Sequence, residues 1–236
     1  MKTDFLYVRF GANWPAVRRF FLDVVWPEGA VCRSCGKISD GGVLCPACTA
    51  RLRDDGALFS WQAEEVEPGL TAYSLRPHQG VARDLVLRLK HQAEACAART
   101  LADLILPLPP DVVFPPDTVV TWVTMPESRR RDRCVDHGRL LAEETARRLG
   151  LPCRKLLLRR ETRERNQASL NREMRQRNLQ NAFSPAETIT FPVLLVDDVL
   201  TTGTTARRCA EALRSAGAEH VAVLTFTRAS GSRAVW

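Results

Sequence analysis

Residues 193–205 read VLLVDDVLTTGTT, an apolar run followed by two aspartates and a turn of threonines around one glycine. The apolar run predicts a buried strand, and residues 204–216 predict a helix that begins at the end of this turn. In open α/β sheets, ligands bind beyond the carboxyl ends of the strands, and a helix N-terminus there offers unpaired N–H groups to a phosphate. We therefore predict a phosphate-binding loop made of Thr201, Thr202, Gly203, Thr204 and Thr205.

Two adjacent carboxylates before the loop indicate that the site binds a sugar as well as a phosphate. Asp197 and Asp198 can accept hydrogen bonds from the vicinal hydroxyls of a ribose, directly or through a divalent cation. A Walker B-type metal site has a similar Asp-Asp pattern, but it requires a P-loop lysine motif upstream, which the sequence lacks. Ordinary helix capping explains single threonines but not the two acids. The stretch therefore favours a site for a phosphorylated ribose.

The surrounding sequence alternates between strand and helix patterns. Strands are predicted at about 70–75, 118–124, 155–158, 191–196 and 220–226, and helices at about 79–91, 94–106 and 138–149. This alternation predicts an α/β fold, a parallel sheet with helices on both faces. The acidic stretch before residue 68 is interpreted as a connection. We predict two domains, an N-terminal module over residues 1–62 and a main domain over 63–236.

Two CxxC pairs stand in the N-terminal module, joined by a short spacer rich in turn residues. Such pairs bring four thiolates to one tetrahedral ion, which predicts a structural zinc site at Cys32, Cys35, Cys45 and Cys48. A redox pair without metal is the alternative. Upstream, apolar residues at helical spacing over about 14–24 predict a short amphipathic helix that docks on the module or the main domain.

Composition narrows the class of protein. The 236 residues are 45% hydrophobic, and 34 Lys+Arg against 27 Asp+Glu give a net charge of +7. No apolar run approaches the ~18–20 residues that span a bilayer, and the start has no signal-peptide layout, so we expect a cytoplasmic protein without membrane insertion. The basic excess suits a polyphosphate ligand or nucleic acid, and equally a genome rich in arginine codons.

Three stretches together resemble a known family. The run VLLVDDVLTTGTT resembles the PRPP-binding motif of type I phosphoribosyltransferases, and the four-cysteine module before it is similar to that of the ComF family of competence proteins. The segment 160–183 also matches this family, at Arg160, Thr162, Gln167, Leu170, Arg175, Asn178, Ala182 and Phe183. The resemblance covers about residues 26–227 and implies a type I phosphoribosyltransferase fold behind a zinc module.

The resemblance also implies roles for residues. Asp197 and Asp198 would contact the ribose of PRPP, residues 201–205 would cradle its 5′-phosphate, and Mg²⁺ would bridge the pyrophosphate. Lys90 resembles the family's lysine after its first helix and is, with Arg133, a candidate pyrophosphate contact. Two departures bear on activity. Residues 133–137 (RCVDH) keep only the arginine of an Arg-Gly-Phe-Asn-Gln-like segment, and Thr201 replaces the acid of purine-salvage relatives.

The arginine-rich segment 159–177 leaves three interpretations open. It can close over the site and stabilise departing pyrophosphate, with Arg163 a candidate contact, it can track a nucleic-acid backbone, or it can be a solvated charged helix. Two functions remain open likewise. One is phosphoribosyl transfer from PRPP. The other is a non-catalytic adaptor that binds a nucleotide or single-stranded DNA beside a DNA-uptake helicase, a role in natural transformation that the family suggests.

Overall fold

A computed structural model describes residues 31–39, 43–54, 61–92, 95–105, 108–125, 136–159 and 182–229. The helix predicted at 14–24, most of the arginine-rich segment, and the candidate contacts Arg133 and Arg163 lie outside these residues. The elements are, in chain order, α1 (Pro46–Asp54), β1 (Gln62–Glu67), β2 (Leu70–Pro77), α2 (Gly80–Gln92), α3 (Ala95–Asp103), β3 (Val119–Trp122), α4 (His137–Leu149), β4 (Leu157–Arg159), β5 (Phe183–Pro185), β6 (Val193–Leu200), α5 (Thr204–Ser215) and β7 (Val221–Arg228).

The main sheet has five strands in the order β1-β2-β7-β6-β3. Strand β6 pairs in parallel with both β3 and β7, and β7 pairs in parallel with β2. Only the edge strand β1 runs antiparallel, against β2. Strands β4 and β5 form a separate antiparallel pair. The predicted parallel α/β sheet is therefore confirmed, with an antiparallel edge that the sequence did not indicate.

Strand β1 corrects one prediction. The acidic stretch that we interpreted as a connection forms a strand over Gln62–Glu67, paired with β2 from Gln62↔Ser74 to Glu67↔Leu70. Its side chains are exposed or half-buried, so it lacks the apolar alternation that identifies a strand. Charged residues are common on an edge strand because they discourage pairing with a further chain.

Strand β6 is longer than predicted. It continues past Val196 to Leu200, and Asp197 pairs with Thr225 of β7 in the ladder. The two acids therefore stand within the strand, not after it. Since successive side chains of a strand point to opposite faces, Asp197 and Asp198 face opposite sides of the sheet.

The sheet is covered on both faces by packed side chains. One core contains apolar residues of α2, α3 and α4 against Val120, Leu194 and Leu224, and it also includes three cysteines of the N-terminal module. The other contains residues of α5, β4 and β5 against Val193, Leu195 and Val223. Helices on both faces were predicted and are confirmed. Within the described residues, every helix is too short or too polar to cross a membrane.

Candidate phosphate and ribose site

Asp198 is a buried carboxylate, 6% exposed, on the α2 and α4 side of the sheet. The Nζ of Lys90, near the end of α2, lies 3.0 Å from its Oδ1. The Nε2 of His137, at the start of α4, lies 3.6 Å from its Oδ2. Oδ2 makes no hydrogen bond to the part of the chain that the structure describes. One oxygen is thus held by a cation, while the other keeps acceptor capacity for a hydroxyl.

Asp197 has a raised pKa. Burial and the negative charge of Asp198 raise the pKa of Asp197 to about 7, against smaller opposing effects of the Asp198 N–H, Lys90 and Arg159. The Asp198 N–H donates to Asp197 Oδ1 at 2.9 Å. Near neutral pH the pair therefore carries between one and two negative charges, and ionisation of the second carboxyl responds to any cation that binds beside it.

A histidine supports the backbone of the acid pair. The hydroxyl of Thr227 donates to the carbonyl oxygen of Asp198 at 3.2 Å, and His78 Nδ1 lies 2.9 Å from the same hydroxyl. Because the single hydroxyl hydrogen goes to the carbonyl, Nδ1 of His78 is the donor. Burial and the positive charges of Lys90 and Arg83 lower the pKa of His78, in spite of Asp198. The neutral ring thus fixes the carboxyl end of β6.

The predicted phosphate loop, residues 201–205, follows directly. Gly203 has φ 71° and is the N-cap residue of α5. A Cβ at Gly203 would lie 2.4 Å from Cγ1 of Val66 on β1, so both the backbone conformation and the space require glycine. Thr201 and Thr202 are exposed, and the hydroxyl oxygens of Thr202 and Thr204 lie 2.9 Å apart. The turn therefore presents hydroxyl groups at a helix start with no side-chain cap.

The four cysteines of the two CxxC pairs converge as predicted. The sulfurs of Cys32, Cys35, Cys45 and Cys48 all lie within 4.8 Å of one another, and the Cys35 and Cys45 sulfurs are 3.8 Å apart. A tetrahedral ion with metal–sulfur bonds of about 2.3 Å requires sulfur separations of roughly 3.8 Å. Although burial opposes ionisation, N–H groups of Cys45, Cys35 and Ser34 lower the pKa of Cys32 to about 6, whereas burial raises the pKa of Cys48 to about 12. The convergence of the four sulfurs allows the cluster to hold a metal ion.

The structure places the predicted contacts as follows. Asp197, Asp198 and the loop 201–205 lie together at the carboxyl end of β6, and Lys90 joins them through Asp198. Sequence reasoning did not identify His78 or His137 as site residues. One feature of the sequence pointed to His137, which is the last residue of the altered segment RCVDH. Its helix is fixed by Asp136, which accepts from the Arg139 N–H at 3.2 Å and from Trp122 Nε1 at 3.1 Å.

Comparison with known proteins agrees with the motifs. Residues 134–236 match the phosphoribosyl transferase domain family. Competence protein F of Haemophilus influenzae is 32% identical over an alignment 154 residues long, which covers 61% of this chain and 67% of that protein.

Solved structures resemble the chain more distantly. Adenine phosphoribosyltransferase from Trypanosoma brucei has 13% identity and a TM-score of 0.38, with 75% of this chain and 96% of that chain covered. The glutamine PRPP amidotransferase of B. subtilis has 21% identity and a TM-score of 0.36, with 62% of this chain covered. The chain spans only about a quarter of that amidotransferase, 26% of its length.

Two observations show the family of this chain: the order of its motifs and the extent of its match to a relative. A phosphoribosyl transferase domain, in which a central parallel strand ends in DDVL and the turn TTGTT follows, stands after a four-cysteine cluster in one chain. The relative that is 32% identical is covered over two thirds of its length. The chain belongs to the ComF family of competence proteins.

Proposed function

We propose that the chain binds PRPP with Mg²⁺ at the carboxyl end of β6. The 5′-phosphate sits on the loop 201–205, where hydroxyl groups and the first N–H groups of α5 donate to its oxygens. The ribose lies at the edge of β6 beyond its last pairing with β3, where one hydroxyl donates to Asp197 on one face of the strand and the other donates to Asp198 on the opposite face. Lys90 balances the charge of Asp198 and is a candidate contact for pyrophosphate. By the family resemblance, Arg133 and Arg163 are further candidates.

One observation carries this proposal. A buried carboxylate with an oxygen that keeps acceptor capacity, Asp198, lies within five residues of a helix start at Gly203 that no side chain caps. A sugar hydroxyl is a donor and a phosphate is an acceptor, so a phosphorylated ribose complements both halves of this arrangement. A ligand without hydrogen-bond donors, such as sulfate, would leave the acid pair unused.

Magnesium belongs to the ligand in this proposal. When bound with PRPP, it supplies positive charge against the pyrophosphate oxygens. In the protein, Lys90 holds Asp198 in place and His137 approaches its second oxygen. Phosphoribosyl transfer would then depend on positioning and on charge stabilisation of departing pyrophosphate. No residue of this chain is assigned as a general base, and whether transfer occurs is part of the test.

We propose zinc as the ion of the four-cysteine cluster. Four cysteine sulfurs within 4.8 Å of one another, two of them 3.8 Å apart, suit a closed structural zinc site, in which the metal contributes folding energy and no coordination position remains for a substrate. The redox alternative predicts a disulfide instead. All four cysteines have free thiols in the structure.

For the biological role we propose DNA uptake in natural transformation, inside the cytoplasm, as the name of the Haemophilus relative suggests. The alternative function is a non-catalytic adaptor that binds a nucleotide or single-stranded DNA beside a DNA-uptake helicase. The altered segment 133–137 favours it, because His137 stands where the family pattern has an amide and lies 3.6 Å from Asp198.

Calorimetric titration of PRPP with Mg²⁺ into the zinc-loaded full chain tests the site. We expect saturable binding that the double variant Asp197→Asn/Asp198→Asn loses. Glu211→Gln, on the exposed side of α5, serves as the matched control and should bind like the wild type. Equal affinity in the double variant and the control would reject the site.

Two follow-up measurements separate the functions. Release of pyrophosphate with a panel of acceptor bases would indicate transfer. Binding of PRPP without pyrophosphate release, together with tighter binding of 5′-phosphorylated than of unphosphorylated single-stranded DNA, would indicate the adaptor.

A further inference from the structure

The β1–β2 hairpin, residues 62–77, lies against the phosphate loop at one point. Val66 Cγ1 occupies the space where a Cβ of residue 203 would stand. Val66 is also where the β1–β2 register shifts, between Glu65↔Thr71 and Glu67↔Leu70. Such a bulge leaves one residue outside the regular pairing and turns its peptide groups away from the ladder. The carbonyl of Val66 is thereby available to a partner outside the hairpin.

That partner is Arg207, one turn into α5. Its NH1 donates to the carbonyl oxygen of Val66 at 3.2 Å, and its NH2 donates to the carbonyl oxygen of Thr202 at 3.1 Å. NH2 also lies 3.4 Å from the hydroxyl of Thr204. One planar guanidinium therefore joins the hairpin to both sides of Gly203. Lysine, with a single point charge, cannot reproduce this fork.

The direction of these hydrogen bonds affects the ligand. Arg207 can only donate, so it uses a lone pair of the Thr204 hydroxyl. The Thr204 hydroxyl keeps its hydrogen and a second lone pair, so either hydroxyl can donate across the 2.9 Å between Thr202 and Thr204. When Thr204 donates, the hydrogen of the exposed Thr202 hydroxyl is left for a phosphate oxygen.

Two further arginines fix the hairpin in place. Arg214 of α5 donates to Glu67 at 2.8 Å and to the carbonyl oxygen of Gly69 at 2.7 Å. Arg228, at the end of β7, lies 2.8 Å from Glu64. These contacts hold the acidic strand β1 on either side of the bulge at Val66. The acidic character of β1, which obscured it as a strand, serves this attachment.

We propose that Arg207 is a positioning residue that holds the phosphate loop in its binding conformation by clasping it to the bulge of the β1–β2 hairpin. The proposal concerns the loop of the proposed PRPP site and rests on that function for its ligand. It assigns the hairpin a role in phosphate binding although none of its residues belongs to the PRPP motif.

The test compares Arg207→Ala and Arg207→Lys with Arg208→Ala in the zinc-loaded full chain. Arg208 is the neighbouring arginine, and its guanidinium donates to Glu211 on the same helix. Amide hydrogen exchange without ligand reports on residues 199–205. Calorimetry reports the affinities for ribose 5-phosphate and for pyrophosphate.

We expect faster exchange of residues 199–205 in both Arg207 variants and unchanged exchange in Arg208→Ala. Affinity for ribose 5-phosphate should fall about tenfold or more in Arg207→Ala, the effect expected for loss of a charge-assisted hydrogen bond, while pyrophosphate affinity stays within about twofold. A residue that only stabilises the fold would lower both affinities together and would not single out the phosphate of the sugar.

Unchanged exchange at residues 199–205 in Arg207→Ala would overturn the proposal, as would faster exchange with undiminished ribose 5-phosphate affinity. If Arg207→Ala fails to fold, Val66→Gly is measured instead. This change removes the side chain that packs over Gly203, so it weakens the contact between hairpin and loop from the hairpin side. A wild-type protein that binds no ribose 5-phosphate would reject the proposed function. In that case, amide exchange in Arg207→Ala and Arg208→Ala would still show whether Arg207 holds residues 199–205 in place.

Discussion

Ser34 Oγ, in the first cysteine knuckle, donates a hydrogen bond of 2.9 Å to Asp84 Oδ2 on α2. Six residues further along the same helix, Lys90 lies 3.0 Å from Asp198. Cys48 and Leu52 of the N-terminal module share one core with Leu85 and other apolar residues of α2. Helix α2 is thus in contact with the cysteine cluster at one end and with the acid pair at the other.

Replacing Asp84 tests how firmly the cysteine module is docked. Asp84→Ala removes the acceptor of the Ser34 hydroxyl, and we expect the free energy of unfolding to fall by about 1 kcal/mol, the usual effect of losing one such hydrogen bond. Glu187→Ala, which removes an exposed ion pair with Arg154, is the control and should change it by less than about 0.5 kcal/mol. Chemical denaturation measures both. Equal effects would mean that the Ser34 contact contributes nothing.

Loss of a metal ligand should affect the module far more strongly. Cys45→Ser removes one of four thiolates, so we expect loss of bound zinc and a lower unfolding temperature, because structural zinc contributes folding energy directly. Cys153→Ser, a half-buried cysteine outside the cluster, should retain the metal. Metal analysis of the purified variants, followed by thermal unfolding, measures both effects. A Cys45→Ser variant that retains one equivalent of zinc as stably as the wild type would contradict the assignment.

The sheet could be predicted from the sequence where its strands are apolar. Strands β3, β6 and β7 are buried on both faces, so each reads as a continuous apolar run between helices. Strand β1 gave no such signal, because its burial depends on arginines that are remote in the chain. The extension of β6 was missed because aspartates are rare within strands.

Part of the candidate site could likewise be predicted. The acids, the threonine turn and the cysteines are contiguous or closely spaced, so their chemistry is visible locally. His78 and Thr227 are 149 positions apart, and Arg207 and Val66 are 141 apart. Their contacts arise only when the sheet brings β2, β6 and β7 together. No pattern in one sequence reports such pairs.

Lys90 and Asp198 should be strongly coupled in stability. Lys90→Met leaves the nearly buried carboxylate of Asp198 without its cation, so we expect the free energy of unfolding to fall by about 1–3 kcal/mol. This is less than for a fully buried pair, because the Lys90 side chain is 29% exposed. Adding Asp198→Asn removes the buried charge and should restore part of this loss. The double-mutant cycle gives the coupling free energy. Lys155→Met, at an exposed position, is the control, and additive effects of the two changes would argue against the pair.

The raised pKa of Asp197 predicts that the acid pair destabilises the fold above neutral pH. Burial and Asp198 raise this pKa from 3.8 to about 7, so the folded protein holds a proton that the unfolded chain releases between these values. The contribution of Asp197 to the free energy of unfolding is therefore greatest at low pH, and it is lost as the pH rises through 7. Asp197→Asn keeps an oxygen acceptor for the Asp198 N–H but cannot ionise.

Between pH 5 and pH 8 the wild type should consequently lose stability relative to Asp197→Asn, because at pH 5 the folded wild type still holds the proton that its unfolded chain has released. We expect the stability gap to widen in favour of the variant by about 1–3 kcal/mol over this interval, since a pKa shift of one unit corresponds to about 1.4 kcal/mol and the charge is shared with Asp198. Asp111→Asn, at an exposed carboxyl, is the control and should show no such pH dependence. Urea denaturation at the two pH values measures the difference. A stability gap between variant and wild type that is the same at pH 5 and pH 8 would show that Asp197 ionises at its ordinary pKa, and the acid pair would then carry both charges when PRPP binds.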